Sequence, residues 1–448
     1  MKTVLIIAGS DPGAGAGLQQ DLKVATLLGT YGLTVVTALT VQNSLEVRAV
    51  HPVAPEVVDA QLDAILRDFP VAAVKVGMLA TADIVRVVAR RLREFKPPYL
   101  VVDPVLAASS GAALLDPAGV AALKEEIFPI TYLLTPNAPE AAQLTGLEVG
   151  SAADLEDAAR RLQKLGPKWV LAKGGHLPGE PVDVLTDGQN AYHLPGPRLA
   201  APHGHGSGCA LATACAAYLA KGLSLPEAVN QARTLVAQAL RWGLPLGGGR
   251  GPVNPYAPFA REMARHQVLE SLRTAAARLQ QEDIGPLIPE AMSNLAYAAP
   301  YAEGPEDVAA FPGRLLKSPQ GLLNPTPPAF GASRHLAGVI LAALKTHPHL
   351  KAAMNLKYFA SLEEITPLLS LKTAAIDPSP EIKGREEDRL AAGVAAVLKP
   401  GEPPPDLIYD QGDWGREPLS YILGSDPQVV VEKAMALKNA LSAAGKLG

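Results

Sequence analysis

An alternation constrains this chain more than any other feature. Over roughly the first 250 of its 448 residues, short apolar runs rich in β-branched residues alternate with helix-patterned stretches. "TVLIIAG" (3–9), "LTVVTAL" (33–39), "AAVKVGM" (72–78), "YLVVDPV" (99–105), "YLLTPN" (132–137) and "KWVLAKGG" (168–175) read as buried strands. Between them lie amphipathic segments such as "DLEDAARRLQKLG" (154–166). Strands that are apolar on both faces need helices on both sides, so the pattern predicts an α/β fold with a mostly parallel sheet flanked by helices. Ligands of such sheets gather at the carboxyl ends of the strands. Here those ends carry Gly9-Ser10-Asp11, Gln42-Asn43, Asp103, Asn137 and Lys173-Gly-Gly, which predicts one polar crevice.

A chain of 448 residues is too long for one ordinary core, so two domains are expected. The Gly- and Pro-rich stretch 243–262 closes the first block and a helix is expected over 263–283, giving boundaries at 1–260 and 264–448. No internal repeat is visible. A net charge of −4 gives no basic stripe for nucleic acid, so no such partner is expected. No apolar run reaches the ~18 residues of a membrane span. The opening "MKTVLIIAGSDPG" stops being apolar at Gly9 and reads as a first strand rather than a leader. Two cysteines spaced C-x5-C make neither a disulfide framework nor a common zinc motif; the usage fits a reducing compartment, and a cytoplasmic location is expected.

Two glycine loops carry the chemistry. "GSDPGAGAGLQQDLK" (9–23) follows a strand and opens a helix, where backbone N–H groups form an anion site that glycines open to a ligand. It fits neither the Walker pattern nor G-x-G-x-x-G, and a purely structural turn is the alternative. In "HGHGSGCALATACAAYLAKG" (203–222), Gly206-Ser207-Gly208-Cys209 stands at a helix start, where N–H groups stabilise charge developing on a transferring phosphoryl group. A helix N-terminus lowers a thiol pKa, so Cys209 is expected to be partly thiolate, whereas Cys215 reads as helix packing. In "TPNAPEA" (135–141), Asn137 and Glu140 stand three apart, a spacing that suits either waters around magnesium or a capping box.

These stretches, with "VVTALTVQNS", "AVKVGMLA", "VVDPVLAASSG" and "LAKGGHL", occur in order over residues 1–260. Together they resemble the ribokinase-like kinases, and among them the hydroxymethylpyrimidine/phosphomethylpyrimidine kinases of thiamine synthesis. The resemblance implies a pyrimidine pocket lined by Gly9, Asp21, Gln42 and Met78. It implies an anion hole at Gly206 and Gly208, and Cys209 beside the acceptor hydroxyl. Lys173 and Ser207 would meet the nucleotide, with ATP as donor, and Asn137 and Glu140 would hold the Mg2+ region through water. Taken singly, Gln42 could be a surface residue, Asp21 a first-turn helix charge, Met78 core filler and Lys173 a snorkelling strand-end cation. Ser207 stands where the family often has Thr; both present a hydroxyl. Pyridoxal kinases are the near neighbours, and Gln42, Met78 and Cys209 favour the pyrimidine enzyme. A homodimer is also implied.

Over residues 270–440, "FPGR", "GASRH" and "AMNLKY" resemble the ThiN-type thiamine-phosphate synthase domain, a second α/β domain. Arg314 and His335 would be its active pair, with Met354 and Asn355 near the substrates. Read alone, these are a solvated arginine, a helix-capping histidine and ordinary packing. A guanidinium fork suits pyrophosphate, and an imidazole suits a leaving group. The expectation is a bifunctional enzyme: phosphorylation of hydroxymethylpyrimidine and its monophosphate, then condensation of the pyrophosphate with thiazole phosphate. The alternatives are the same kinase with a non-catalytic sensing domain, or a sugar or vitamin kinase with a structural tail.

Overall fold

The structure, a computed structural model, describes all residues except 109–110, 319–320, 324–325, 377–385, 413–416 and 448. It divides into two compact units, Met1–Phe259 and Ala260–Gly448.

The first unit is built on a nine-stranded sheet: β1 (Thr3–Ser10), β2 (Tyr31–Gln42), β3 (Val47–Pro52), β4 (Val71–Val76), β5 (Leu100–Val102), β6 (Leu133–Leu134), β7 (Trp169–Ala172), β8 (Val182–Thr186) and β9 (Ala191–Pro195). The order is β3-β2-β1-β4-β5-β6-β7-β8-β9. The run from β2 to β7 is parallel, and β3, β8 and β9 add antiparallel edges. The helices are α1 (Gly17–Leu27), α2 (Pro55–Asp68), α3 (Ala82–Phe95), α4 (Pro117–Ala122), α5 (Ala138–Thr145), α6 (Ala152–Gln163), α7 (Ser207–Ala220) and α8 (Leu225–Arg241).

Alternate residues of each strand point to opposite faces. Leu5, Ile7, Val74, Val76 and Val102 therefore pack under α2 to α6, while Val4, Ile6, Ala73 and Val101 pack under α1, α7 and α8. Burying both faces is why the runs lack polar alternation. β5 and β6 are shorter than their apolar runs, since Pro104 and Pro136 cannot donate to a ladder. Alanine at six of the fourteen positions of α7 lets it lie close over the centre of the sheet, with Cys215 buried among them.

The helix expected over 263–283 is α9 (Ala257–Gln281). Its start absorbs the last part of the stretch expected to be a linker, because Pro258 in a first turn removes an N–H that has no intrahelical acceptor.

The second unit has a seven-stranded sheet ordered β14-β11-β10-β15-β18-β17-β16. Its strands are β10 (Leu295–Ala298), β11 (Val308–Ala310), β14 (Ala329–Phe330), β15 (Ala352–Lys357), β16 (Thr373–Ala375), β17 (Leu407–Asp410) and β18 (Leu419–Gly424). β12 (Leu316–Ser318) and β13 (Gly321–Leu323) pair separately. Every pair is antiparallel except β16 with β17. Besides α9, the helices are α10 (Arg334–Leu344), α11 (Leu362–Ile365), α12 (Glu386–Val397) and α13 (Pro427–Ala443). α9 and α13 cover one face, and α10 and α12 the other.

Candidate active site

In the first unit, the carboxyl ends of β1, β2 and β4 carry a small apolar cluster apart from the two main cores. Ala38, Met78 and Ala80 form it, with Val50, Val105 and Leu114 against them. Gly9 completes the wall: a Cβ there would lie 2.9 Å from the Met78 sulfur. The structure thus brings Gly9 and Met78 together. Gln42 stands half-buried at the last position of β2, in register with Val47 of β3. The hairpin turn beyond it is tied to a glycine loop by the Gly249 N–H, which donates to Ser44 Oγ at 3.2 Å.

The first glycine loop corrects an expectation. Its N–H groups are already taken, because the Asp11 carboxylate accepts from Gly13 (2.8 Å), Gly15 (3.1 Å) and Ala16 (2.8 Å). Asp11 is buried, and although burial opposes its charge, His205 and the N–H groups of Ala16 and Gly13 together hold its carboxyl below the usual value. The loop is self-capped by an internal anion and does not await one.

Asp21 also differs from expectation. Its carboxylate is fully buried, with one oxygen 2.6 Å from Lys75 Nζ and the other accepting from Thr213 Oγ1 at 2.7 Å. Both oxygens are engaged inside the protein, so Asp21 supports the site from behind instead of lining a pocket. Lys75 was missed by sequence reasoning. The available signal was a lysine inside a buried strand run, which demands a partner.

A second ion pair lies at the ends of β5 and β7. Lys173 Nζ is 2.9 Å from Asp103 Oδ1, which also accepts from Thr135 Oγ1 at 3.2 Å. α7 begins directly above it, since a Cβ on Gly208 would lie 3.3 Å from both Asp103 Oδ2 and Lys173 Nζ. Asn137 and Glu140 form the capping box of α5, with reciprocal 2.8 Å hydrogen bonds. Burial, with Asp103 adding to it against the pull of Lys173, raises the Glu140 carboxyl to about 7. Among the described residues no cluster of three or more metal-ligating side chains exists. Two carboxylates beside a lysine fit a magnesium ion, which commonly takes one or two protein carboxylates plus substrate phosphates.

Gly206 caps α7 in the left-handed region (φ +81), and a Cβ there would fall 1.8 Å from the Gly15 carbonyl oxygen. Ser207 opens the helix beside it, half-buried. Cys209 keeps part of its surface exposed. Its thiol is pushed up to about 11, because desolvation outweighs the attraction of Lys75 and the Gly17 N–H. The expected partial thiolate is therefore absent from the free protein. Arg250 lies against Gly204, its guanidinium 2.6 Å from where a Cβ would stand. Desolvation, then Lys173 and Arg250, depress the His176 pKa. This corner is thus rich in cations, and Arg250 was likewise missed.

In the second unit, Arg314 is exposed, in the left-handed region (φ +58), and donates to the Ala291 carbonyl. The same turn, residues 289–292, is gripped from the other side by Glu417, whose carboxylate accepts the N–H groups of Glu290 and Ala291, each at 2.8 Å. His335, at the start of α10, bonds through Nε2 to the buried Tyr421 hydroxyl at 2.9 Å. Asn355 stands opposite Tyr421 in the β15–β18 ladder. Its side chain is spent on the protein, accepting from Asn294 N–H (2.7 Å) and donating to the Met292 carbonyl (3.0 Å). Asn294 in turn holds both backbone groups of Phe311, three residues before Arg314. Asn355 therefore orders the turn that carries Arg314. Met354 is fully buried in the core, on the face opposite Asn355, so it is packing and not a substrate contact.

The comparisons with known proteins agree with this partition. The family model described as phosphomethylpyrimidine kinase matches residues 11–254, and that described as thiamine-phosphate synthase ThiN matches residues 271–436. A bifunctional thiamine biosynthesis protein ThiED of Geobacter sulfurreducens is 48% identical over 253 residues, covering 56% of this chain and 52% of that protein. The chain thus spans about half the length of that relative. The hydroxymethylpyrimidine/phosphomethylpyrimidine kinase of Streptomyces coelicolor is 47% identical over 251 residues, 56% of this chain and 93% of that protein. Among solved structures, a Bacillus subtilis pyridoxal kinase in complex with ADP superimposes with a TM-score of 0.54 at 35% identity, covering 58% of this chain and 99% of that one. No helix among the described residues is long and apolar enough to cross a membrane. With more than half of its 448 residues matched by the first model, the chain belongs to the phosphomethylpyrimidine kinase family.

Proposed function

We propose that the chain is a bifunctional enzyme of thiamine synthesis. The first unit phosphorylates hydroxymethylpyrimidine and then its monophosphate with Mg-ATP. The second condenses the pyrimidine pyrophosphate with thiazole phosphate, giving thiamine phosphate and pyrophosphate. The observation that carries the kinase reading is the start of α7, where Cys209 follows Gly208 and Gly208 lies over the Asp103–Lys173 pair.

The apolar wall of Gly9, Ala38 and Met78 offers a face for a flat ring, and Gln42 offers an amide for its polar edge. Lys173 and Arg250 supply charge for nucleotide phosphates, and Ser207 to Cys209 turn helix N–H groups toward the phosphoryl group. Asp103, Asn137 and Glu140 would hold the region of a magnesium ion brought with the nucleotide, and such an ion would supply positive charge to neutralise the phosphates. Cys209 meets the acceptor hydroxyl as a thiol. To take the hydroxyl proton it would first have to release its own to solvent, a loss that burial opposes and Lys75 favours. A loose phosphoryl-transfer transition state asks little of a base, so orientation of the hydroxyl is the larger contribution.

In the second unit, Arg314 faces solvent with a guanidinium able to take pyrophosphate oxygens, and His335 with Tyr421 forms a proton-bearing pair for the departing group. A sensing role for this unit is less favoured, since both residues of the active pair are present and the ThiN match covers them. The two free cysteines support a cytoplasmic setting. Leu39, Val41 and Leu45, exposed on the β2–β3 hairpin, support self-association as a homodimer.

The test uses full-length protein with hydroxymethylpyrimidine, thiazole phosphate and Mg-ATP, following thiamine phosphate by chromatography. Arg314→Ala and His335→Ala should each abolish thiamine phosphate while pyrimidine phosphorylation continues. Pyrimidine pyrophosphate that accumulates in the wild-type reaction without thiamine phosphate would leave a kinase joined to a sensor.

A further inference from the structure

His205 joins three segments far apart in sequence. Its N–H donates to the Gly251 carbonyl and its carbonyl accepts from Val253, both at 3.1 Å, which fixes its backbone against 251–253. Its ring crosses to the first glycine loop, where Nε2 lies 3.1 Å from Asp11 Oδ2. That oxygen already accepts from Gly15 and Ala16. The ring packs so closely that a Cβ on Gly15 would sit 2.5 Å from His205 Cδ2 and 3.1 Å from Pro252 Cβ. The next residue, Gly206, presses on the Gly15 carbonyl as the N-cap of α7, and Cys209 follows in the first turn of that helix, four positions after His205.

The two loops carry different halves of the reaction. The segment before Asp11 provides Gly9 of the ring wall, and the segment after His205 provides Gly208 and Cys209. The hydrogen bond between Asp11 and His205 is a side-chain tie between them. We infer that His205, held by Asp11, is a positioning residue for phosphoryl transfer: it sets the distance between the acceptor's ring wall and the start of α7. It touches neither substrate in this assignment. The inference rests on the kinase reading for its turnover readout, and a chemical readout is added that does not depend on it.

The Asp11 carboxylate organises its own loop, so replacing it would disturb folding; the informative changes are at His205. In the full chain, His205→Leu keeps an apolar bulk and removes the N–H, whereas His205→Gln restores a donor at a similar reach. Misplacement of reacting groups by about 1 Å costs about 100-fold in rate, so His205→Leu should lower kcat by about 10- to 100-fold with KM for pyrimidine and ATP within about twofold. His205→Gln should recover most of that loss, and the melting temperature of both variants should stay near wild type. In parallel, the rate of Cys209 alkylation by iodoacetamide, read by mass spectrometry, should change severalfold in His205→Leu and return in His205→Gln. An unchanged kcat, a loss confined to KM, or a glutamine variant no better than leucine would overturn the assignment. Should the wild type phosphorylate no pyrimidine, the kinase reading fails instead, and unchanged Cys209 alkylation would by itself overturn the role given to His205.

Discussion

At Glu140, three neighbours compete over one proton. Burial and Asp103 favour the neutral acid, Lys173 favours the carboxylate, and the balance raises the carboxyl from 4.5 to about 7. A carboxyl whose folded pKa is raised binds its proton more tightly in the folded state, so its contribution to stability grows as pH falls from 7 toward 4.5. Above pH 7 the protein carries the charge at a cost. Glu140→Gln keeps the capping acceptor and removes the charge. Its melting temperature should exceed wild type by a few degrees at pH 8, and the gap should close by pH 5. A variant less stable than wild type at pH 8 would show that Lys173 dominates after all. The same residue shows what was legible at this scale. The spacing of Asn137 and Glu140 gave two readings, and the capping box is present in the structure. The perturbed acidity was invisible, because Asp103 lies 37 positions away. Asp21, Lys75 and Cys209 follow the same logic: their types could be read, but their partners and burial could not.

At the level of elements, the helix starts decide most. α7 has no side-chain cap, and Gly206 occupies its N-cap in a conformation that a side chain strains. Gly206→Ala adds the left-handed penalty and an overlap with the Gly15 carbonyl, which together should destabilise the first unit by about 2–4 kcal/mol. Phosphoryl transfer should fall further than pyrimidine affinity, as read by separate turnover and binding measurements; a variant with wild-type kcat would show that the two loops tolerate separation. The apolar runs announced β1, β2, β4 and β7, since a strand buried on both faces has little freedom in composition. β3, β8 and β9 were not announced: β3 and β9 have mostly half-exposed or exposed residues, and their pairing depends on neighbours already in the sheet. Pro258 hid the start of α9, because a proline reads as a break although it suits a first turn.

Across the whole molecule, each unit has its own sheet and its own pair of cores. Met354→Ala removes a fully buried side chain from the centre of the second sheet and should cost that unit about 2–5 kcal/mol. Calorimetry of the full chain should then show one transition moved down and pyrimidine phosphorylation retained at 25 °C. A loss of kinase activity in step with the synthase would mean that the units do not keep separate stabilities. The sequence by itself determined the α/β class of the first block, the crevice at its strand ends, the glycine-rich start of α7 and the change of character near residue 260. These depend on local periodicity and on residue types that few other conformations accept. Only the tertiary structure decided that Asp11 fills its own loop, that Asp21 faces Lys75, that Cys209 stays a thiol, that Met354 is core and that His205 ties two loops 194 positions apart. Each of those outcomes is set by burial and by partners distant along the chain, and long-range contacts leave no periodic trace in the order of residues.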